Sequence, residues 1–410
     1  MFWLSLLALP LRTDLDQVVQ RVVPIQVSAK DTTDLEPFRK AIGNARIVQL
    51  GELTHGDGTS FELKTRLVKY LHERAGFDVL VWESGFVECL DLDAGLRGKE
   101  PLLDVARRAV FSHWSRGRES FGVFEYARAS HSTRRPLLMA GFDIQSSGSE
   151  GNMTFLRLAD AVLTSADKDL RDRLAEIRKM PAADAREAAA LNLAEEIQQT
   201  LEKNRPALSK TLKPAELATL TQKVKSMVAY DAMMKAFLKY QQVQTGVEFQ
   251  VGYNLRERAN FENLAWLLEN SFKGKKVIVW AHNAHVSNFG SDGIYRVAGP
   301  NDVVLDSTGR WLKERYGARL YSVGFVASGG QWSWMGQPPQ SFAPAGPDSI
   351  ESLIGRAAAE HAFLDLKGLK ILLDEPMDGD LNRQDPQVNR IVWPRAFDGL
   401  IYIRIGRAHV

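Results

Sequence analysis

The chain has 410 residues, 45% apolar and 25% charged, the ordinary mix of a globular protein. Its 52 Lys and Arg nearly cancel 50 Asp and Glu, and no basic stripe is interleaved with aromatics. Neither nucleic acid nor an anionic membrane surface therefore finds a broad field to bind. One cysteine, Cys89, excludes an intramolecular disulfide and a thiolate metal knot.

Residues 1–30 read as an N-terminal arm or a weak export signal. Met1–Pro10 is apolar over the length of a signal core, about 7–15 residues, but has no cationic start or clear cleavage site. It is too short for a bilayer, which needs about 20 residues. A cytoplasmic and an exported protein both fit.

Residues 31–150 read as the first half of an α/β core. Ala45–Leu50 is a short apolar run closed by Gly51, a buried strand and a turn. Thr59 and Glu62 have capping-box spacing for a helix running to about Arg74. Phe77–Trp82 is a second strand, ending at Glu83-Ser84-Gly85, and Cys89 beyond it reads as a buried structural thiol. Pro136–Gly141 is a third strand, stopping at Asp143.

From 151 to 250 the pattern is helical, over Ala189–Leu201 and Leu217–Tyr240, with Pro181, Pro206 and Pro214 as punctuation. This segment is expected to be a helical insertion, either a lid over the active face or a plain stabilising layer. Residues 251–410 return to the α/β pattern. Candidate strands are Lys276–Trp280, Leu320–Phe325, Leu369–Leu373 and Leu400–Ile405, and a loop over 331–347 carries Trp332 and Trp334 as candidate pocket walls. Strands alternating with helices imply an α/β fold with a mostly parallel central sheet flanked by helices.

The polar residues fall at the strand ends. Glu52 and His55 follow the first strand, Glu83 ends the second, Asp143 follows the third, and His282 and His285 follow the fourth. An open parallel sheet binds ligands beyond its carboxyl ends, so neighbouring strands would bring these six side chains to one rim. Any one histidine here is more often a satisfied loop residue than a catalyst. Glu83 is harder to dismiss, because a carboxylate at the end of a Val-Leu-Val-Trp run needs a partner. His72 and His409 read as structural, and His113, in Phe111-Ser-His-Trp114, borders a possible pocket.

An imidazole oriented by a carboxylate is a natural general base for water. The Gly-x-Ser-x-Gly elbow of serine esterases is absent; Gly148-Ser-Glu-Gly151 has the wrong spacing. Three imidazoles and two carboxylates are also enough for zinc or iron, so a metal-dependent hydrolase and a haem- or iron-binding protein stay open.

Leu50-Gly-Glu-Leu-Thr-His-Gly56 with its Phe-Glu-Leu-Lys helix, Phe77–Phe86 and Gly141-Phe-Asp-Ile-Gln145 resemble the erythromycin esterase family. So do Asn254–Leu268, Val279–Val286, Arg315–Phe325 and Phe397–Tyr402. The resemblance runs in order over roughly residues 30–405. It implies metal-independent, cofactor-free hydrolysis of a small-molecule ester or lactone, macrolide antibiotics above all, and hence antibiotic resistance. It implies His55 as the base, with Glu52 and Glu83 positioning and polarising the water. His282 and His285 complete the site and Arg256 supplies a fixed positive charge. Asp143, His113 and Asn283 are the candidate substrate contacts. Asp57-Gly58 after the histidine is closer to a broad group of relatives than to the resistance enzymes.

Overall fold

A computed structural model describes residues 17–244, 246–288, 296–297, 303–334, 336–358, 360–369, 376–381 and 389–408. Met1–Pro10, His409 and all but the first residue of the expected 369–373 strand lie outside them.

Eight strands form one sheet: β1 (Val23–Ile25), β2 (Ile47–Leu50), β3 (Val79–Gly85), β4 (Leu138–Asp143), β5 (Val277–Trp280), β6 (Leu320–Ala327), β7 (His361–Asp365) and β8 (Gly399–Ile403). Their order is β1-β7-β8-β6-β2-β5-β3-β4. β7 is antiparallel to both neighbours and every other pairing is parallel. The α/β class with a mostly parallel sheet is therefore what the strand–helix alternation implied. β1 and β7 were not expected. β1 is a short edge strand that ties residues 23–25 of the expected arm to the sheet, and β7 lies between it and β8.

Alternate residues along each strand enter opposite layers, because side chains in a strand point to opposite faces. Val79 and Val81 join one apolar cluster, with Val277, Val279 and the insertion helices. Leu80 and Trp82 join the other, with Val48, Leu50, Trp280 and the Gly58–Ala75 helix. That parity continues past the strand ends and decides which layer each site residue meets.

Segment 151–243 is helical in five pieces: Gly151–Val162, Lys168–Lys179, Ala183–Leu191, Ala194–Thr211 and Pro214–Val243. Pro206 does not punctuate it as expected but lies inside the Ala194–Thr211 helix. The buried faces on either side, Ile197 and Leu201 before it and Leu208 after it, carry the helix through the lost bond. A sixth helix, Gly246–Trp266, leads back to the core. Among the described residues, no helix is long and apolar enough to cross a membrane.

The Gly58–Ala75 helix begins one residue before the expected cap. Asp57, not Thr59, is the N-cap: its Oδ1 accepts from Thr59 N at 3.0 Å and its Oδ2 from Ser60 Oγ at 2.5 Å. The C-terminal residues hold the same turn. Gly58 N donates to Arg407 O at 2.8 Å, and Arg407 N donates to Thr59 Oγ1 at 3.0 Å and Asp57 Oδ1 at 3.3 Å.

Candidate active site

β2, β5, β3 and β4 are consecutive in the sheet, so their carboxyl ends share one rim. Beyond it lies a cleft of about 380 Å³ lined by His55, Glu83, Phe111, Trp114, Asp143, Gln145, Ser146, Ser147, Tyr253, Arg256, His282, Ala284 and His285.

Glu52 follows Val48 and Leu50 in parity and turns toward the layer of the Gly58–Ala75 helix. It is fully buried. Its Oε1 accepts from His55 Nδ1 at 2.6 Å; its Oε2 takes Lys64 Nζ at 2.6 Å and Trp280 Nε1 at 3.0 Å. Burial alone would raise this carboxyl, but Lys64 and His55 outweigh it and hold it below the usual carboxylate range. The His55 side chain, 16% exposed, is the most accessible of this group. With Nδ1 donating to Glu52, its Nε2 faces the cleft.

Two glycines let this loop close. A Cβ on Gly51 would stand 2.1 Å from Asn283 Oδ1, and one on Gly56 would stand 2.3 Å from Ser333 O. Neither position has room for a side chain.

Glu83 follows Val79 and Val81 and meets the other layer, where the register between β3 and β4 shifts between Trp82 and Gly85. Its Oε1 lies 3.0 Å from His285 Nε2, 3.3 Å from Arg256 Nη2 and 3.7 Å from His55 Nε2, and its Oε2 accepts from His282 N at 2.7 Å. Burial would raise this carboxyl too, yet His285, His55 and Arg256 around it hold it well below the usual range. Arg256 is clamped by Asp143, which takes both Nε, at 3.1 Å, and Nη2. Burial opposes its charge, but Asp143 and Glu83 raise it further above the ordinary arginine value.

The two later histidines differ. His285 Nδ1 forms an ion pair with Glu257 Oε1 at 2.5 Å while Nε2 meets Glu83. Burial would discharge it, but the two carboxylates raise it to about 10, so it is an imidazolium at neutral pH. His282 uses both nitrogens on backbone: Nδ1 accepts from Ala284 N at 3.1 Å and Nε2 donates to Leu53 O at 3.0 Å. Burial and the neighbouring His55 pull it down to about 3. It is a neutral strut joining the β2 and β5 loops, with no lone pair to accept a proton or hold a metal.

The remaining expected contacts divide. Asp143 lines the cleft. Asn283 does not reach it: the side chain is fully buried, Nδ2 donates to Phe325 O at 2.7 Å, and Oδ1 accepts from Phe325 N at 3.0 Å, tying the β5 loop to β6. His113 stands behind the wall, stacked on Phe111 and edge-on to Trp334, whose ring centroid is 6.2 Å from that of His55. Trp332 packs against Trp334 and Phe342. Cys89 is buried, donates to Ala109 O and is raised well above the usual thiol value by burial. Among the described residues, no group of three His, Cys, Asp or Glu side chains is arranged to hold a metal ion.

Lys64, Glu257 and Trp280 were not singled out from sequence. Lys64 does carry a signal: with Phe61, Leu67, Val68 and Leu71 it lies on the apolar face of its helix, where a lysine needs a buried partner. Glu257, Asn260 and Asn263 are likewise buried on the Gly246–Trp266 helix.

A family model described as erythromycin esterase matches residues 72–405, which include Glu83, Asp143, Arg256, His282 and His285; Glu52 and His55 precede it. The putative hydrolase YbfO of Bacillus subtilis (strain 168) is 26% identical over 368 residues, 83% of this chain and 79% of that protein. Erythromycin esterase type II of Escherichia coli is 24% identical over 289 residues, 66% and 68% of the two. In fold, the chain superposes on a mutant of the erythromycin esterase EreC in its open conformation with a TM-score of 0.70, at 16% identity and covering 93% and 96% of the two chains. The family model and the relatives' names indicate a hydrolase or esterase, and the chain belongs to the erythromycin esterase family.

Proposed function

We propose that this protein hydrolyses a carboxylic ester by direct attack of water, with His55 as the general base and no covalent intermediate. The observation that carries this reading is the pair of atoms facing the cleft. His55 Nε2 and Glu83 Oε1 are 3.7 Å apart, too far for a direct hydrogen bond but close enough for one water to contact both. Glu52 behind His55 fixes Nδ1 as the protonated nitrogen and leaves the Nε2 lone pair for that water.

His55 Nε2 takes a proton from the water as its oxygen bonds to the acyl carbon. The alkoxy C–O bond then breaks and the proton passes from His55 to the leaving oxygen. Arg256 and imidazolium His285 supply positive charge beside the developing oxyanion. The serines lining the cleft are poor nucleophiles. Ser147 Oγ already accepts from Gly85 N at 3.0 Å, and no imidazole bonds either serine among the described residues. No metal enters the scheme; His282 in particular has no free nitrogen for one.

Because one curated relative is named an erythromycin esterase, macrolide lactones are the first substrates to test. The purified protein, incubated with macrolides of two ring sizes with and without EDTA, is expected to add one water to the macrolide in both buffers. Activity lost in EDTA and restored by zinc would replace this reading with a metal-dependent hydrolase. No hydrolysis of macrolides or of a panel of simple esters would overturn it.

A further inference from the structure

The site contains two histidine–carboxylate dyads facing one carboxylate. Glu52–His55 and Glu257–His285 each present an imidazole Nε2 to the same oxygen of Glu83, at 3.7 and 3.0 Å. Both backing carboxylates are fully buried. They differ in what stands behind them. Glu52 Oε2 meets the Lys64 ammonium at 2.6 Å. Glu257 Oε2 instead accepts from Thr308 N at 2.8 Å and Thr308 Oγ1 at 3.0 Å, and no lysine or arginine pairs with it among the described residues.

We propose that Lys64 is a positioning residue that makes His55, rather than its twin His285, the base of the reaction. The argument is one of charge. The Lys64 ammonium offsets the Glu52 carboxylate, so the carboxylate orients His55 through Nδ1 while adding little net negative charge beside its ring. His285 lies between Glu83, which Arg256 also meets, and Glu257, which has no lysine or arginine paired with it among the described residues; it keeps its proton and serves as a fixed cation. Lys64 has no access to substrate: its side chain is fully buried, its ammonium lies 4.3 Å from the centroid of the Trp280 ring, and Nζ also reaches Ala281 O at 3.4 Å. Its strongest link to the cleft is Glu52, with Glu83 a weaker electrostatic neighbour. Burial also lowers the ammonium to about 8, despite the attraction of Glu52, so the pair loses its compensation within an accessible pH range.

This inference rests on His55 being the base, and the test separates the two. In Lys64→Met, Glu52 keeps its charge without a counter-cation, and His55 binds its second proton more tightly. The acid limb of the kcat/KM profile is expected to move up by about one to two pH units, with kcat/KM at pH 7 falling by up to about 10-fold for each unit. In Glu52→Gln/Lys64→Met the buried charge is gone. The limb returns to the wild-type position or below, and thermal stability recovers toward that of the parent. A Lys64→Met variant that folds and loses activity at every pH with its acid limb unmoved would overturn the positioning role and leave the esterase reading standing. An unaltered His55→Ala enzyme would overturn the esterase reading itself. If Lys64→Met does not fold, the double variant decides: a limb above wild type with no charge at 52 contradicts the proposal.

Discussion

The two layers flanking the sheet each supply half of the site, and the halves are charged differently. The Gly58–Ala75 side contributes one carboxylate, one lysine and a partly exposed histidine: Glu52, Lys64 and His55. The Gly246–Trp266 side contributes three carboxylates and a histidine, all buried, and an arginine: Glu83, Asp143, Glu257, His285 and Arg256. The first half joins one histidine to a lysine-paired carboxylate. The second is a clamped ion network in which each charge holds its neighbours. The two imidazoles each lie near two carboxylates, and the difference between the halves lies in their distance from Glu83 and in the lysine behind Glu52.

Removing the one mobile proton carrier should break this division most severely. His55→Ala is expected to lower kcat/KM by roughly 10²- to 10⁴-fold, with unfolding unchanged because the residue is at the cleft surface. Retention of activity within tenfold would show that the accessible half is not the working half. Next comes the clamp. Arg256→Met leaves Glu83 and Asp143 buried without their shared cation and should destabilise the fold by about 3–5 kcal/mol in denaturant titrations. A loss under about 1 kcal/mol would mean the network is not a structural unit.

A finer test addresses His285 alone. Glu257→Gln removes one of the two carboxylates that raise its imidazolium to about 10, so the alkaline limb of kcat/KM should move to lower pH by about one to two units. An unmoved limb would remove His285 from the oxyanion's surroundings. The last test concerns stability at His282. Its folded value of about 3 lies below the ordinary 6.5, so the unfolded chain takes up a proton first as pH falls. Its contribution to stability is complete above pH 6.5 and is lost as pH drops toward 3. His282→Gln has no such group to titrate and should lose less stability than wild type over that window, measured by urea midpoints; equal losses would contradict a neutral His282.

The sheet and its rim could be read from the sequence because period and position carry them. Apolar runs at 45–50, 77–82, 136–141 and 276–280 became β2, β3, β4 and β5, and the polar residues after each run landed on one edge. β1 and β7 could not be read this way, since Val23-Pro24-Ile25 is too short to show a period and the five residues of β7 have polar ends. Pro206 misled because a proline bends local preference, whereas burial on both sides of it decides the helix. Asn283 misled for another reason. Its place between two histidines suggested chemistry, but the amide answers the β6 backbone, a partner 42 residues away. The partners behind the dyads, Lys64 and Glu257, were hidden because they come from different elements, 12 and 28 residues from the groups they serve.

The bonds between Arg407 and the turn at 57–59 span about 350 positions of sequence. They close the loop that begins at Glu52 and carries His55. Every residue of the proposed machinery has been synthesised once position 285 is reached, yet this loop gains its last anchors only when residue 407 is made. Contacts of such long range couple the loop that carries His55 to a segment just past β8, far along the chain. Cleavage just before Arg407 should release the same latch in the finished enzyme, silencing it without touching a single group that meets the substrate.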